Sequence, residues 1–178
     1  MPMSRRGSHS ADCGAMIREG SLRKLKPTLL GIDKILVPSD FSSASSNAFK
    51  YALRFGQEFG SELLLVHVLE RALPPGLREI PGTPTFSEKE LSMAEKNLRA
   101  WADSAQTNGV SAKIGVRTGL PNHEIVEAAK EHDIDLVIIA THGHTGWKHF
   151  CIGSTAERVV RAAPCPVLVV REKEHEFI

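Results

Sequence analysis

Apolar residues gather along this chain into five short runs, separated by stretches with helical spacing, from about residue 32 to about residue 172. Lys34 to Ser39 (KILVPS) is the first run, stopped by Pro38, and reads as a strand. Glu62 to Leu69 (ELLLVHVL) is nearly unbroken, the pattern of a strand covered on both faces. Val110, Ala112, Ile114 and Val116 alternate with Ser111, Lys113, Gly115 and Arg117, which predicts an edge strand with one wet face. Ile134 to Ala140 and Val167 to Val170 complete the set.

Four helices fall between these strands. Ser42 or Ser43 caps the first, where Phe49, Ala52, Leu53 and Gly56 share one face and Gly60 supplies a left-handed end. Ser87-x-x-Glu90 is a capping box for the second, whose stripe is Leu91, Ala94, Leu98, Trp101 and Ala105, ending near Asn108-Gly109. Pro121 opens the third, with Ile125, Ala128, Ala129 and His132 expected inward. Ser154-Thr155-Ala156-Glu157 reads as a capping box for the fourth, with Val159, Val160 and Ala163 on its apolar face.

Parallel neighbours need helical crossovers, so this alternation predicts an α/β fold: a single doubly wound domain with a five-stranded parallel sheet and helices on both faces. The expected limits are a flexible basic tail at 1–31, the domain at 32–172 and a short tail at 173–178. Residues 71–85 hold four prolines and two glycines, which suits a lid, a partner surface or a spacer rather than regular structure. His67 inside a buried run reads as a hydrogen-bonded core residue, Trp101 as a core anchor, and Cys151 and Cys165 as small buried residues.

Composition narrows the function classes. With 42% hydrophobic and 24% charged residues the chain is globular rather than disordered. The formal net charge of +1 divides unevenly: six Lys/Arg face two acids in residues 1–30, leaving sixteen against nineteen elsewhere. That balance gives no nucleic-acid surface. No apolar window reaches the roughly 18 residues of a membrane span, and no apolar stretch follows the amino-terminal arginines as a secretory signal requires. The expectation is a cytoplasmic protein without membrane partners. Its three cysteines form no C-x-x-C pair, which argues against a disulfide framework.

Chemistry concentrates after Ala140. The loop leaves the carboxyl end of a predicted parallel strand, where open sheets bind ligands, and runs into the amino end of a helix. An anion beside Gly153, Ser154 and Thr155 would meet unpaired backbone N–H groups and the positive end of the helix dipole, and Gly143 and Gly153 allow close approach of the main chain. The alternative is that Ser154 only caps its own helix. His142, His144 and His149 suggest a metal, but no Cys or carboxylate stands at ligand spacing, so none is assigned. Neither G-x-x-x-x-G-K-[ST] nor G-x-S-x-G is present, and no general base has an orienting partner, so no catalytic residue is assigned.

Ile35-Leu-Val-Pro-Ser-Asp-Phe-Ser42, Leu65-Val-His-Val68, Gly119-Leu-Pro121, Thr141-His-Gly143, Gly153-Ser154 and Ala163-Pro-Cys-Pro-Val-Leu-Val-Val-Arg171 together resemble the universal stress protein family. The likeness covers about residues 32–171. It implies a Rossmann-like fold of the adenine-nucleotide alpha-hydrolase type. Its nucleotide-binding branch carries Gly, two residues, Gly, nine residues, then Gly and Ser or Thr; Gly143 and Gly153-Ser154 match, while Ala140 stands in the first glycine's place. The resemblance implies an ATP site, with or without magnesium. Pro38, Ser39 and Val68 would line the base pocket, Asp40 would hold the ribose or adenine side, Gly143, Gly153, Ser154 and Thr155 would hold the phosphates, and Ala140 and Thr141 would complete the cofactor site. For Asp40 alone, a carboxylate stabilised at a helix amino end is the competing reading. The resemblance also implies a homodimer through the last strand.

The resulting expectation is a stress-response or regulatory module that binds an adenine nucleotide. The alternatives are a dimeric interaction protein with an empty crevice and, further off, an adenylating or slow ATP-hydrolysing enzyme.

Overall fold

A computed structural model of the chain describes residues 31–70, 86–141 and 152–171. The element order is β1 (Lys34–Pro38), α1 (Ser43–Phe59), β2 (Glu62–Leu69), α2 (Glu88–Thr107), β3 (Ala112–Thr118), α3 (Pro121–Glu131), β4 (Leu136–Ala140), α4 (Ser154–Ala162) and β5 (Val167–Val170). All neighbouring strands pair in parallel, in the order β3-β2-β1-β4-β5. The doubly wound, five-stranded expectation therefore holds. Residues 1–30, 71–85 and 172–178 lie outside the described residues, and with them nearly all of the expected basic tail and the Pro-rich loop.

The helices form because their caps and stripes agree. Ser42, in extended backbone, accepts the Ser45 N–H at the start of α1, and Gly60 closes that helix at φ 74° with its N–H on the Gly56 carbonyl. Ser87 and Glu90 make both arms of the capping box on α2. Strand alternation sends Ile35, Val37, Leu63 and Leu65 toward α1 and α2, and Leu36, Leu64, Val66, Val137 and Ile139 toward α3 and α4. Two apolar layers result, one on each face. Leu36, Leu65, Leu98 and Ile138 are fully buried, each contributing ~1.5–3 kcal/mol by removal from water.

Three expectations are corrected here. Val110 does not begin β3: its N–H bonds the Ala105 carbonyl at 3.0 Å, so it belongs to the turn that ends α2, and the strand starts at Ala112. His132 is exposed rather than inward, because it is the carboxyl cap of α3, and Ile125, Val126, Ala128 and Ala129 carry the buried side of that helix. Val160 is likewise exposed; Ala156 and Val159 carry the buried side of α4. Cys165 is half-buried, and desolvation pushes its thiol above the ordinary range.

Candidate functional site

In an open parallel sheet the ligand crevice lies where the chain reverses its direction of travel across the strands, outside their carboxyl ends. Here that point falls between β1, from which the chain runs outward to β2 and β3, and β4, which leads to β5. β1 and β2 stay in register from Lys34↔Glu62 to Pro38↔Val66, but β1 and β4 are registered only at Ile35↔Leu136 and Leu36↔Val137. The carboxyl ends of β1 and β4 are thus not laced together. A crevice of about 330 Å³ opens beyond them.

Its walls come from both halves of the fold. Pro38, Ser39 and Asp40 follow β1, Val66, Val68 and Glu70 share one face of β2, and Ile139, Ala140 and Thr141 end β4. Gly153, Ser154, Thr155 and Ala156 bring in the start of α4, and Pro121 and Ile125 the start of α3. Nine of the ten residues assigned from the sequence therefore meet around one hollow; the tenth, Gly143, lies outside the described residues, as do His142, His144, His149 and Cys151. Ser45, Val66, Glu70, Pro121, Ile125, Ile139 and Ala156 were not assigned. Val66 and Glu70 were legible from the period of two that starts at Val68; Ile125 and Ala156 needed the three-dimensional packing of α3 beside α4.

The turn after β1 is held by a chain of short hydrogen bonds. Ser39 N–H donates to the Val66 carbonyl at 2.8 Å, Phe41 N–H to Ser39 Oγ at 3.0 Å, and Ser42 N–H and Oγ to Asp40 Oδ1 at 3.0 and 2.6 Å. Asp40 stands two residues before the cap Ser42, so it is not itself the helix cap. Phe41 adopts φ 62°, a left-handed conformation that costs a bulky residue ~1–3 kcal/mol unless its surroundings hold it there. Its ring lies 4.6 Å from that of His67 and meets Trp101 edge-on at 5.9 Å, while Trp101 stacks on Phe49 at 4.6 Å. The core roles expected of His67 and Trp101 are thus met, on the face of the sheet away from the crevice.

The far wall is built from β4 and α4. Buried Thr141 donates its N–H to the Val170 carbonyl at 2.8 Å and accepts the Gly153 N–H at 2.7 Å, tying the end of β4 to β5 and to the entry of α4. Glu157 N–H reaches the Gly153 carbonyl at 2.9 Å, which makes Gly153 the cap and Ser154 the first helical residue. The expected Ser154 capping box is therefore absent: the helix has no side-chain cap. Ser154, Thr155 and Ala156 line the crevice with the first turn of α4, where the backbone N–H groups have no intrahelical acceptor.

Ala140 replaces a glycine of the family pattern without filling the hollow. Among the described residues the non-glycine positions with positive φ are Phe41 and Asp133, so Ala140 keeps ordinary strand backbone. It joins Leu136 and Ile138 in the core under α1, whereas Ile139 belongs to the opposite cluster. Alternation aims its methyl away from the α3 and α4 side.

No Lys, Arg or His stands among the described lining residues, and Asp40 and Glu70 are acidic. The positive end of the α4 dipole is their counterpart. Among the described residues no group of three or more His, Cys, Asp or Glu is placed to hold a metal, and no helix is long and apolar enough to cross a membrane.

Arg117 fixes α3 against β3. Its guanidinium bonds Glu124 at 2.9 Å and Glu131 at 2.7 and 3.1 Å, which raises the Arg117 pKa and holds Glu131 below its ordinary 4.5. A depressed carboxylate adds stability that is present above its unfolded pKa and is lost as pH falls through the lower folded value. Glu131→Gln should therefore lower stability slightly at neutral pH and converge with the parent in acid, which flattens the loss of stability below about pH 4.5, as followed by urea unfolding against pH. An identical acid limb in the variant would refute this link.

The family model described as "Universal stress protein family" matches residues 31–171. A universal stress protein of Methanocaldococcus jannaschii is 34% identical over 143 residues, covering 80% of this chain and 84% of its own. The solved structure of universal stress protein UspA from Lactobacillus plantarum superposes with a TM-score of 0.69 at 30% identity, covering 79% of this chain and 98% of that one. A universal stress protein from Archaeoglobus fulgidus in complex with dAMP shares the fold at a TM-score of 0.60 and 18% identity, over 80% of this chain and 99% of its own length.

Proposed function

The chain belongs to the universal stress protein family, and from that premise we propose that its crevice binds an adenine nucleotide, ATP or a relative, as a regulatory rather than a catalytic event. The observation that carries the reading is the convergence of Asp40, Val68, Thr141, Gly153, Ser154 and Thr155 on one hollow at the switch point of the sheet. Pro38, Ser39 and Val68 form an apolar side for the base. Asp40 accepts a ribose hydroxyl, and Gly153, Ser154 and Thr155 receive the phosphates through the first turn of α4. The dAMP bound by the Archaeoglobus protein supports the ligand class. With no lining cation among the described residues, a triphosphate would be favoured by an accompanying magnesium ion.

Mass spectrometry of what the purified protein releases on denaturation tests this directly. ATP, ADP or AMP near one per chain is expected; protein that carries none and takes up none on incubation with them rejects the nucleotide site.

β5 is an edge strand whose Val167, Leu168 and Val169 are only half-buried, a face that calls for covering. A homodimer through this strand meets that need. Light scattering should give twice the chain mass at micromolar concentration, and a monomer there contradicts the dimer without touching the nucleotide site.

A further inference from the structure

We infer that His67, on the side of the sheet away from the crevice, is a positioning residue for the turn that carries Asp40. The inference rests on the nucleotide reading only for its functional consequence. His67 Nδ1 lies 2.7 Å from the Ser39 carbonyl oxygen, and a carbonyl oxygen can only accept, so Nδ1 carries the proton. The half-buried ring is thereby a donor fixed to the main chain one residue before Asp40. The same ring supports Phe41, whose φ of 62° the backbone would otherwise abandon. Relaxation of Phe41 to negative φ would rotate the next peptide and withdraw the Ser42 N–H from Asp40 Oδ1. One side chain thus secures the turn from both sides, by donating to Ser39 and by packing its tilted ring against Phe41. Affinity lost with it would come from a displaced Asp40 rather than from a missing ligand contact, since His67 does not line the crevice.

Three variants separate this role from bulk packing. His67→Phe keeps a ring against Phe41 and removes the donor; His67→Asn keeps an N–H where Nδ1 stands; Phe41→Gly removes the backbone penalty together with the ring. Amide hydrogen exchange of Phe41 and Ser42 is read by NMR on the ligand-free protein, and ATP affinity with magnesium by calorimetry. His67→Phe is expected to speed exchange at Ser42 by about tenfold or more and to weaken ATP about tenfold, His67→Asn to have a smaller effect through loss of the ring alone, and Phe41→Gly, which holds a positive φ without strain, to stay within about threefold of the parent. Wild-type exchange in His67→Phe overturns the inference. Greater acceleration in His67→Asn than in His67→Phe also overturns it, by showing that the packing of the ring and not its donor matters. A parent protein that binds no nucleotide sinks the proposed function, and the exchange rates still decide the positioning role.

Discussion

Ser154→Glu should lower nucleotide affinity by about 30- to 100-fold, or roughly 2–3 kcal/mol, while leaving the unfolding midpoint unchanged or slightly raised. The two effects diverge because one carboxylate meets two different neighbours. Ser154 is the first residue of α4, and an acid in a first turn is favourable by ~0.3–1 kcal/mol through the helix dipole. The same carboxylate would stand where the phosphates are proposed to sit, within a few ångströms of like charge and without a lining cation to offset it. Ser154 is exposed, so salt should shrink the repulsion, and raising ionic strength should recover part of the affinity. Affinity equal to the parent at low salt would remove the phosphates from the start of α4.

Asp40→Ala should weaken binding by about 10- to 100-fold, the loss of a charged hydrogen-bond acceptor for the sugar at about 1.5–3 kcal/mol. It also takes away the acceptor of the Ser42 N–H and Oγ, so stability should fall by ~1 kcal/mol as well. Asp40→Asn distinguishes the two losses. Its side-chain oxygen still accepts from Ser42, so stability should return toward the parent while affinity stays reduced. A variant series in which affinity merely follows stability would make Asp40 a structural residue of the turn.

Where the local pattern and the tertiary environment agree, the sequence was sufficient. Glu62 to Leu69 is a strand to the residue because both faces of β2 are covered and only His67 interrupts the apolar run. Gly60, Ser42, Pro121 and the Ser87–Glu90 box mark helix ends by interactions confined to a few residues, and each marks the end observed. The wet face of β3 correctly placed that strand at an edge. The start of α4 was misread because its boundary is set at long range. The Gly153 N–H is drawn to Thr141 at the end of β4, so the helix begins at the next residue and the S-x-x-E spacing never becomes a cap. Ile139 escaped assignment for a similar reason. It becomes a wall only where β1 and β4 part, and their separation beyond Leu36↔Val137 is a property of the sheet rather than of either strand.

The shape of the crevice follows from that separation, and its chemistry from two turns held in place by main-chain and hydroxyl bonds. Phe41 shows the cost of the arrangement, a bulky residue kept left-handed beside Asp40 by His67 and Trp101. Ala140 shows its tolerance, since the added methyl is taken up by the core under α1 instead of by the hollow.

Thermal unfolding with and without nucleotide tests the site most directly. A ligand at 100 times its dissociation constant adds about 2.7 kcal/mol to the folded state. Saturating ATP with magnesium should therefore raise the melting temperature by several degrees in the parent protein, and by much less in Ser154→Glu. A melting temperature that does not move with millimolar ATP, ADP or AMP, in protein freed of bound nucleotide, would contradict a nucleotide site in this crevice.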